Sequence, residues 1–114
     1  MKNTFYTFIT LILLLFNGCN SDGNSMETDA LFYWNQTKCA DPWNTGENDS
    51  NDESEIAVKE YLESENVIIQ NLGFDTNSPL DISCESCGCG TGQRIIIEVF
   101  NSDISKMKEL DFYQ

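Results

Sequence analysis

RIIIEVF, at residues 94–100, is the most strand-like part of this 114-residue chain, because five of its seven side chains are β-branched or aromatic. A second run of the same kind, VIIQNL at 67–72, is predicted to form another strand that ends at Gly73. Upstream, the apolar and aromatic LFYW at 31–34 is compatible with a first strand. Together these segments predict a small sheet.

A helix is predicted over residues 53–65, between the strands at 31–34 and 67–72. Asp52 and Glu55 have the spacing of a capping box, with Asp52 as the N-cap. Apolar side chains recur along the segment at the helical i, i+4 spacing. These side chains are Ala57 with Tyr61, and Val58 with Leu62.

A second helix is predicted after the last strand, over residues 103–110, with Asn101 or Ser102 as its N-cap. The order of elements is then (β)αββα. This order is compatible with an α+β fold in which a small single-layer sheet has two helices packed on one face. Residues 30–114 are enough for one such domain and too few for two.

The chain is strongly acidic, with 19 acidic and 6 basic side chains and a formal net charge of −13. Such a surface repels phosphate backbones, so nucleic acid is not an expected partner. Part of the charge lies in residues 44–52, which contain no apolar side chain and are predicted to form a mobile acidic loop.

The chain contains no histidine. This composition excludes Ser-His and Cys-His catalytic pairs and histidine-ligated zinc. Acidic residues occur throughout the sequence, and none has a spacing that singles it out for acid–base catalysis. The sequence therefore favours a protein that is not an enzyme, and it nominates no catalytic residue.

The N-terminal residues have the pattern of a secretory signal. A short, weakly basic start precedes an apolar run at 5–16, and Gly18 then precedes Cys19. The apolar run is shorter than the roughly 20 residues that a membrane-spanning helix needs. Residues 1–18 are therefore predicted to be a signal peptide, followed by a polar, flexible tether at 19–29.

Gly18 and Cys19, placed after this apolar run, resemble the lipobox of bacterial lipoproteins. The resemblance implies cleavage before Cys19 and a diacylglycerol group on its sulfur, so Cys19 is the predicted lipidation site. Palmitate and other acyl chains would then hold the protein at a membrane. In bacterial lipoproteins, an Asp directly after the lipidated cysteine is an inner-membrane retention signal. This chain has Asn20 at that position, so the resemblance implies an outer-membrane lipoprotein of the cell envelope.

Four cysteines remain beyond Cys19, namely Cys39, Cys84, Cys87 and Cys89. The last three lie in a cysteine-rich loop at 73–93, which is much longer than the usual connection of about 4–6 residues. This loop is also rich in glycine, so it has too few apolar side chains to form a hydrophobic core of its own. It is therefore expected to be ordered by disulfides or by a metal ion.

Disulfides are the first hypothesis, because the number of cysteines is even, the domain is small and the predicted compartment is oxidising. A bridge between Cys87 and Cys89 would close a strained ring. This leaves Cys39 bonded to either Cys87 or Cys89, with Cys84 bonded to the other.

Two alternatives use the same thiols. Cys84, Cys87 and Cys89 form C-x-x-C-x-C, and with Cys39 as a fourth ligand they could bind zinc or cuprous copper. Cys84 and Cys87 could instead act as a C-x-x-C redox pair, although glycines follow them where redox enzymes have a helix.

KCADPW at 38–43, combined with C-x-x-C-x-C-x-T-G at 84–92, is similar to a pattern in small envelope lipoproteins. This resemblance implies a location and a cysteine pattern, and it implies no reaction and no cofactor. The sequence thus predicts a membrane-anchored envelope lipoprotein with a disulfide-linked interaction or accessory domain. Its expected partners are the membrane, through the lipid anchor, and another envelope protein.

Overall fold

The computed structural model describes residues 29–114. The predicted signal peptide at 1–18, the lipidation site Cys19 and the tether up to residue 28 lie outside the described residues. Among residues 29–114, no helix combines the length and apolar character needed to cross a membrane.

Strands and helices follow one another in the predicted order along the described residues. The strands are β1 (Ala30–Thr37), β2 (Ile69–Asp75) and β3 (Gly90–Val99). The helices are α1 (Asn51–Ser64) and α2 (Ile104–Glu109), and a 3-10 turn at Asn101–Asp103 leads into α2. The predicted (β)αββα order is confirmed.

The strands form one antiparallel sheet in the order β1-β3-β2, with β3 in the centre. The β-branched run predicted as a strand therefore pairs on both sides. Phe32 of β1 lies opposite Ile97 of β3, which in turn lies opposite Leu72 of β2. Because side chains alternate along a strand, this row and its neighbours two residues away point to one face.

That face is the core of the protein, and both helices contribute to it. Ile95, Ile97 and Val99 of the central strand are fully buried, as is Phe32. The fully buried apolar side chains that the helices place against this face are Val58 and Leu62 of α1 and Met107 of α2. The expected α+β architecture, with two helices on one face of a small sheet, is thus confirmed.

Aromatic rings close the end of the core beside β1. The ring centroid of Trp34 lies 5.1 Å from those of both Trp43 and Phe112. Tyr61 of α1 adds a contact, with its ring centroid 5.7 Å from that of Trp43. The rings thus connect the segment after β1, helix α1 and the C-terminal residues.

The predicted end of β2 is wrong, because the strand continues through Gly73 to Asp75. Glycine weakens a strand by entropy and by its missing side chain, but here the backbone is held by pairing with β3. Gly73 lies directly opposite Ile96 in that pairing. Tertiary pairing therefore outweighs the local preference.

The predicted helix caps also differ from the structure. Helix α1 is capped by Ser50, whose Oγ accepts a hydrogen bond from Glu53 N–H at 3.1 Å, so Asp52 is not the N-cap. Ser50 and Glu53 have the same three-residue spacing as Asp52 and Glu55, and the pattern alone did not distinguish the two pairs. In the second helix, Asn101 and Ser102 belong to the 3-10 turn.

The outer side of β1 is partly covered by the C-terminal residues. Tyr33 N–H donates a hydrogen bond to Tyr113 O at 2.7 Å, and Tyr113 N–H donates one to Tyr33 O at 3.2 Å. The two rings also pack together, with centroids 5.7 Å apart. Tyr113 therefore acts as a one-residue addition to the sheet.

Candidate functional site

Two disulfides hold the cysteine-rich loop. Cys39 is bonded to Cys87, with Cα atoms 4.5 Å apart and a sequence separation of 48 residues. Cys84 is bonded to Cys89, with Cα atoms 5.8 Å apart and a separation of 5 residues. The predicted disulfides are confirmed, and the structure selects one of the two pairings that the sequence left open.

Backbone hydrogen bonds bring the two cysteine-bearing segments together. Lys38 N–H donates to Cys89 O at 2.8 Å, and Cys39 N–H donates to Cys87 O at 3.1 Å. The Lys38 ammonium also donates to Cys84 O at 2.7 Å. The segment after β1 therefore lies alongside residues 84–89, so that the Cys39–Cys87 bridge joins chains already in contact.

Gly90 is required for a close approach within the same loop. Its N–H donates to Asp81 O at 2.8 Å. A Cβ atom built on Gly90 would lie 2.5 Å from the Cβ of Leu80, a distance that real side chains do not adopt. The loop thus folds back on the start of β3, and only glycine fits at the contact.

The two bridges differ in their access to solvent. Cys39 and Cys87 are exposed, whereas Cys89 is only 4% exposed. The Ser86 hydroxyl lies 3.0 Å from Cys89 Sγ. We call Cys39–Cys87 the outer bridge and Cys84–Cys89 the inner bridge. Reagents in solution can therefore reach the outer bridge more readily than the inner one.

The pairing bears on the two alternatives that use thiols. A metal ion binds thiolates, and each of the four sulfurs is bonded to another sulfur here. Residues 29–114 contain no group of three or more His, Cys, Asp or Glu side chains placed to hold a metal ion. Cys84 and Cys87 are not bonded to each other, and no helix begins after them, so the C-x-x-C redox arrangement is not formed.

Asp41 organises the turn that carries Cys39, although no pattern in the sequence singles out this residue. Asp41 is 3% exposed. Oδ1 accepts hydrogen bonds from Trp34 Nε1–H at 2.9 Å, from Thr37 Oγ1–H at 2.8 Å and from Thr37 N–H at 3.1 Å. Burial raises the pKa of Asp41, and these hydrogen bonds oppose that rise without cancelling it.

The raised pKa of Asp41 predicts a pH dependence of stability. Above the ordinary aspartate value of about 3.9, the folded protein retains this proton more strongly than the unfolded chain does. The contribution of Asp41 to stability therefore falls as pH rises from about 4 through its folded pKa. We expect Asp41→Asn, which cannot ionise, to gain stability relative to the unmodified protein over this range in urea unfolding at several pH values.

Asp75 supplies a control of opposite sign. Hydrogen bonding to Arg94 lowers the pKa of Asp75, so its contribution is present above the unfolded pKa and is lost as pH falls. Asp75→Asn should consequently lose stability relative to the unmodified protein as pH rises. A difference between the unmodified protein and Asp41→Asn that stays constant with pH would contradict the assignment.

A polar cleft of about 430 Å³ lies between the acidic loop and the cysteine-rich loop. Its polar lining side chains are Gln36, Lys38, Glu47, Asp49, Thr91 and Gln93. Gln36 is itself buried, and its Oε1 accepts a hydrogen bond from Thr91 Oγ1–H at 2.9 Å. The cleft walls therefore meet at a fixed polar base.

The acidic loop packs closely against the backbone of Lys38, which lines this cleft. Glu47 N–H donates to Lys38 O at 3.1 Å, and Gly46 N–H donates to Asp49 Oδ2 at 2.8 Å. A Cβ atom on Gly46 would collide with the carbonyl oxygen of Lys38. Residues 46–49 thus form a turn that depends on glycine for contact with the chain next to Cys39.

No protein-family model, no curated protein and no solved structure matches this chain.

Proposed function

We propose that this chain is an envelope lipoprotein, anchored in a membrane through Cys19, with a disulfide-linked domain that serves as a non-enzymatic interaction or accessory module. The observation that carries the proposal is the arrangement of the five cysteines. Cys39, Cys84, Cys87 and Cys89 are joined in two bridges, and Cys19, the fifth cysteine, lies at the lipobox-like position of the sequence.

The two bridges support a location outside the cytosol. Disulfides form and persist in oxidising compartments such as the bacterial envelope, and they are rare in reducing ones. A domain of this size also gains more from covalent links than a large one, because it buries a smaller fraction of its surface. The proposed location is the outer membrane, with the membrane and another envelope protein as partners.

The non-enzymatic role is supported by the structural use of the side chains that could otherwise react. The sequence has no histidine, and the buried carboxylate of Asp41 is used to hold Trp34 and Thr37. The disulfide-bonded cysteines have no free thiolate for nucleophilic or redox chemistry. These side chains stabilise the fold of the loops, and an interaction module needs such a stable surface to bind a partner.

The lipid anchor predicts covalent labelling at one residue. When the full chain is expressed in bacteria supplied with an alkyne analogue of palmitate, we expect label on the unmodified protein and none on Cys19→Ser. The label should remain on the double variant Cys39→Ser with Cys87→Ser, because acylation depends on the N-terminal signal rather than on the folded domain. In-gel fluorescence after coupling a dye measures the label.

Membrane fractionation and thiol counting complete this test. The unmodified protein should sediment with membranes, and alkylation before reduction should modify none of the four bridged cysteines. Lack of palmitate on the unmodified protein, or label that persists in Cys19→Ser, would refute the proposed anchor. Four alkylated cysteines before reduction would refute the disulfide-linked domain.

A further inference from the structure

The face of the sheet opposite the helices carries a set of side chains that the core does not use. Three cross-strand rows form it, from β1 through β3 to β2. The rows are Leu31 with Glu98 and Asn71, Tyr33 with Ile96 and Gly73, and Asn35 with Arg94 and Asp75. We call this surface the open face.

A trough lies in the middle of the open face. It has a volume of about 230 Å³, and its lining includes Leu31, Asn71, Gly73, Ile96 and Glu98. A Cβ atom built on Gly73 would meet no atom within 4 Å, so the missing side chain of this strand residue opens the trough. Leu31 at its border is 47% exposed and adds apolar surface to the trough.

One end of the open face has its charges balanced. Arg94 makes a two-pronged pair with Asp75, with Nη2 to Oδ2 at 2.7 Å and Nε to Oδ1 at 3.1 Å. Its guanidinium also lies over the ring of Tyr33, 4.1 Å from the centroid. The cation of this end is therefore already engaged by an anion and by an aromatic ring.

The other end carries two acidic groups together. A hydrogen bond with Asp29, partial burial and the charge of Asp29 all raise the pKa of Glu98. Two neighbouring carboxylates repel each other, and a cation placed between them relieves that repulsion. A positive group from a partner at this position would be attracted by both carboxyl groups.

We propose that the trough binds the side chain of a lysine or arginine from a basic partner protein, with the aliphatic stem on Ile96 beside Gly73 and the cationic end at Glu98 and Asp29. The proposal rests on the interaction role given above and names the partner chemistry. The trough is smaller than the roughly 300–1,000 Å³ of small-molecule sites, which suits one long side chain. Long cationic side chains bury their stems on apolar surface while the charge remains at its edge.

The charge of the chain argues for a basic partner over a second copy. Each molecule has a net charge of −13. Two open faces brought together would place Glu98 and Asp29 of both copies within one interface, and like charges there oppose association. A basic partner instead gains from long-range attraction to the acidic surface.

The test is a nuclear magnetic resonance titration of the ¹⁵N-labelled full chain in detergent with a capped pentapeptide, valine-lysine-valine-lysine-valine. We expect chemical-shift changes at residues 31, 73, 96 and 98, and weaker binding by tenfold or more for Glu98→Gln, because the lost contact is a charge-assisted hydrogen bond. Gly73→Val, which fills the trough, should weaken binding by a similar factor.

Matched variants make this result specific. Glu85→Gln removes an exposed charge elsewhere, and Gly88→Val adds a side chain at another glycine whose Cβ would meet no atom within 4 Å. Both should bind like the unmodified protein. Valine is a good strand residue, so Gly73→Val should fold, and thermal unfolding checks this. If it does not fold, Glu98→Gln decides the question.

Several outcomes would overturn the proposal. Equal binding of a peptide with norleucine in place of lysine would mean that the trough selects apolar surface and not charge. Shift changes confined to residues 44–52 would place the basic group on the acidic loop. A dimer seen by light scattering that is lost in Gly73→Val would assign the open face to a second copy. Palmitate labelling of Cys19 is independent of all three, so failure here leaves the lipoprotein proposal standing.

Discussion

Removal of the outer disulfide, by Cys39→Ser combined with Cys87→Ser, is expected to lower the free energy of unfolding by about 4 kcal/mol. The bridge closes a chain segment of 48 residues. In the chain-entropy model, its loss restores the conformational freedom of that segment to the unfolded chain, and the cost increases with the logarithm of segment length. For a small domain of ordinary stability, this loss is a large part of the total.

The inner bridge supplies the matched comparison. Cys84 and Cys89 are separated by 5 residues, so Cys84→Ser combined with Cys89→Ser should cost only about 2 kcal/mol by the same model. Urea unfolding of the full chain, followed by tryptophan fluorescence, measures both losses. Equal costs for the two double variants would show that loop closure does not determine the contribution of the bridges.

The second large effect is expected at Phe32, in the centre of the core. Phe32 is fully buried and lies opposite Ile97 on the central strand. Phe32→Ala should lower the free energy of unfolding by about 3–5 kcal/mol, because it removes buried apolar surface and leaves a cavity that the surrounding side chains fill only partly.

Leu31 tests whether burial is the cause. It is the preceding residue on the same strand, but its side chain points to the open face and is 47% exposed. Leu31→Ala should cost less than about 1 kcal/mol, since little apolar surface becomes newly exposed. If both variants lost similar stability in urea unfolding, the assignment of the two faces of β1 would be wrong.

The sequence was sufficient for the existence of the central strand and for the order of elements, but not for the bounds of that strand. The strand begins at Gly90 and not at Arg94, and it ends at Val99 and not at Phe100. Ile95, Ile97 and Val99 belong to a run of β-branched side chains, and that β propensity favours a strand. The limits of β2 were not predictable in this way. Gly73 lowers strand propensity, and only its pairing with Ile96 keeps it in the sheet. That pairing depends on residues distant in sequence.

The disulfides were predictable as a pair but not as a connectivity. Cysteine count and compartment indicated two bridges, and ring strain removed one pairing. The choice of Cys87 over Cys89 for Cys39 depends on where Lys38 and Cys39 form backbone hydrogen bonds with the loop. Asp41 was missed for a related reason, because its value lies in three donors that only the folded turn brings to it.

The pairing of Tyr33 with Tyr113 has a consequence for behaviour at high concentration. An uncovered outer strand offers free amide and carbonyl groups to a neighbouring molecule, which is how edge-to-edge aggregates begin. Here the last residues of the chain occupy those groups in the middle of β1. Removal of Tyr113 would thus expose the backbone N–H and C=O of Tyr33 to pairing with another molecule, so Tyr113 protects this edge of the sheet from edge-to-edge aggregation.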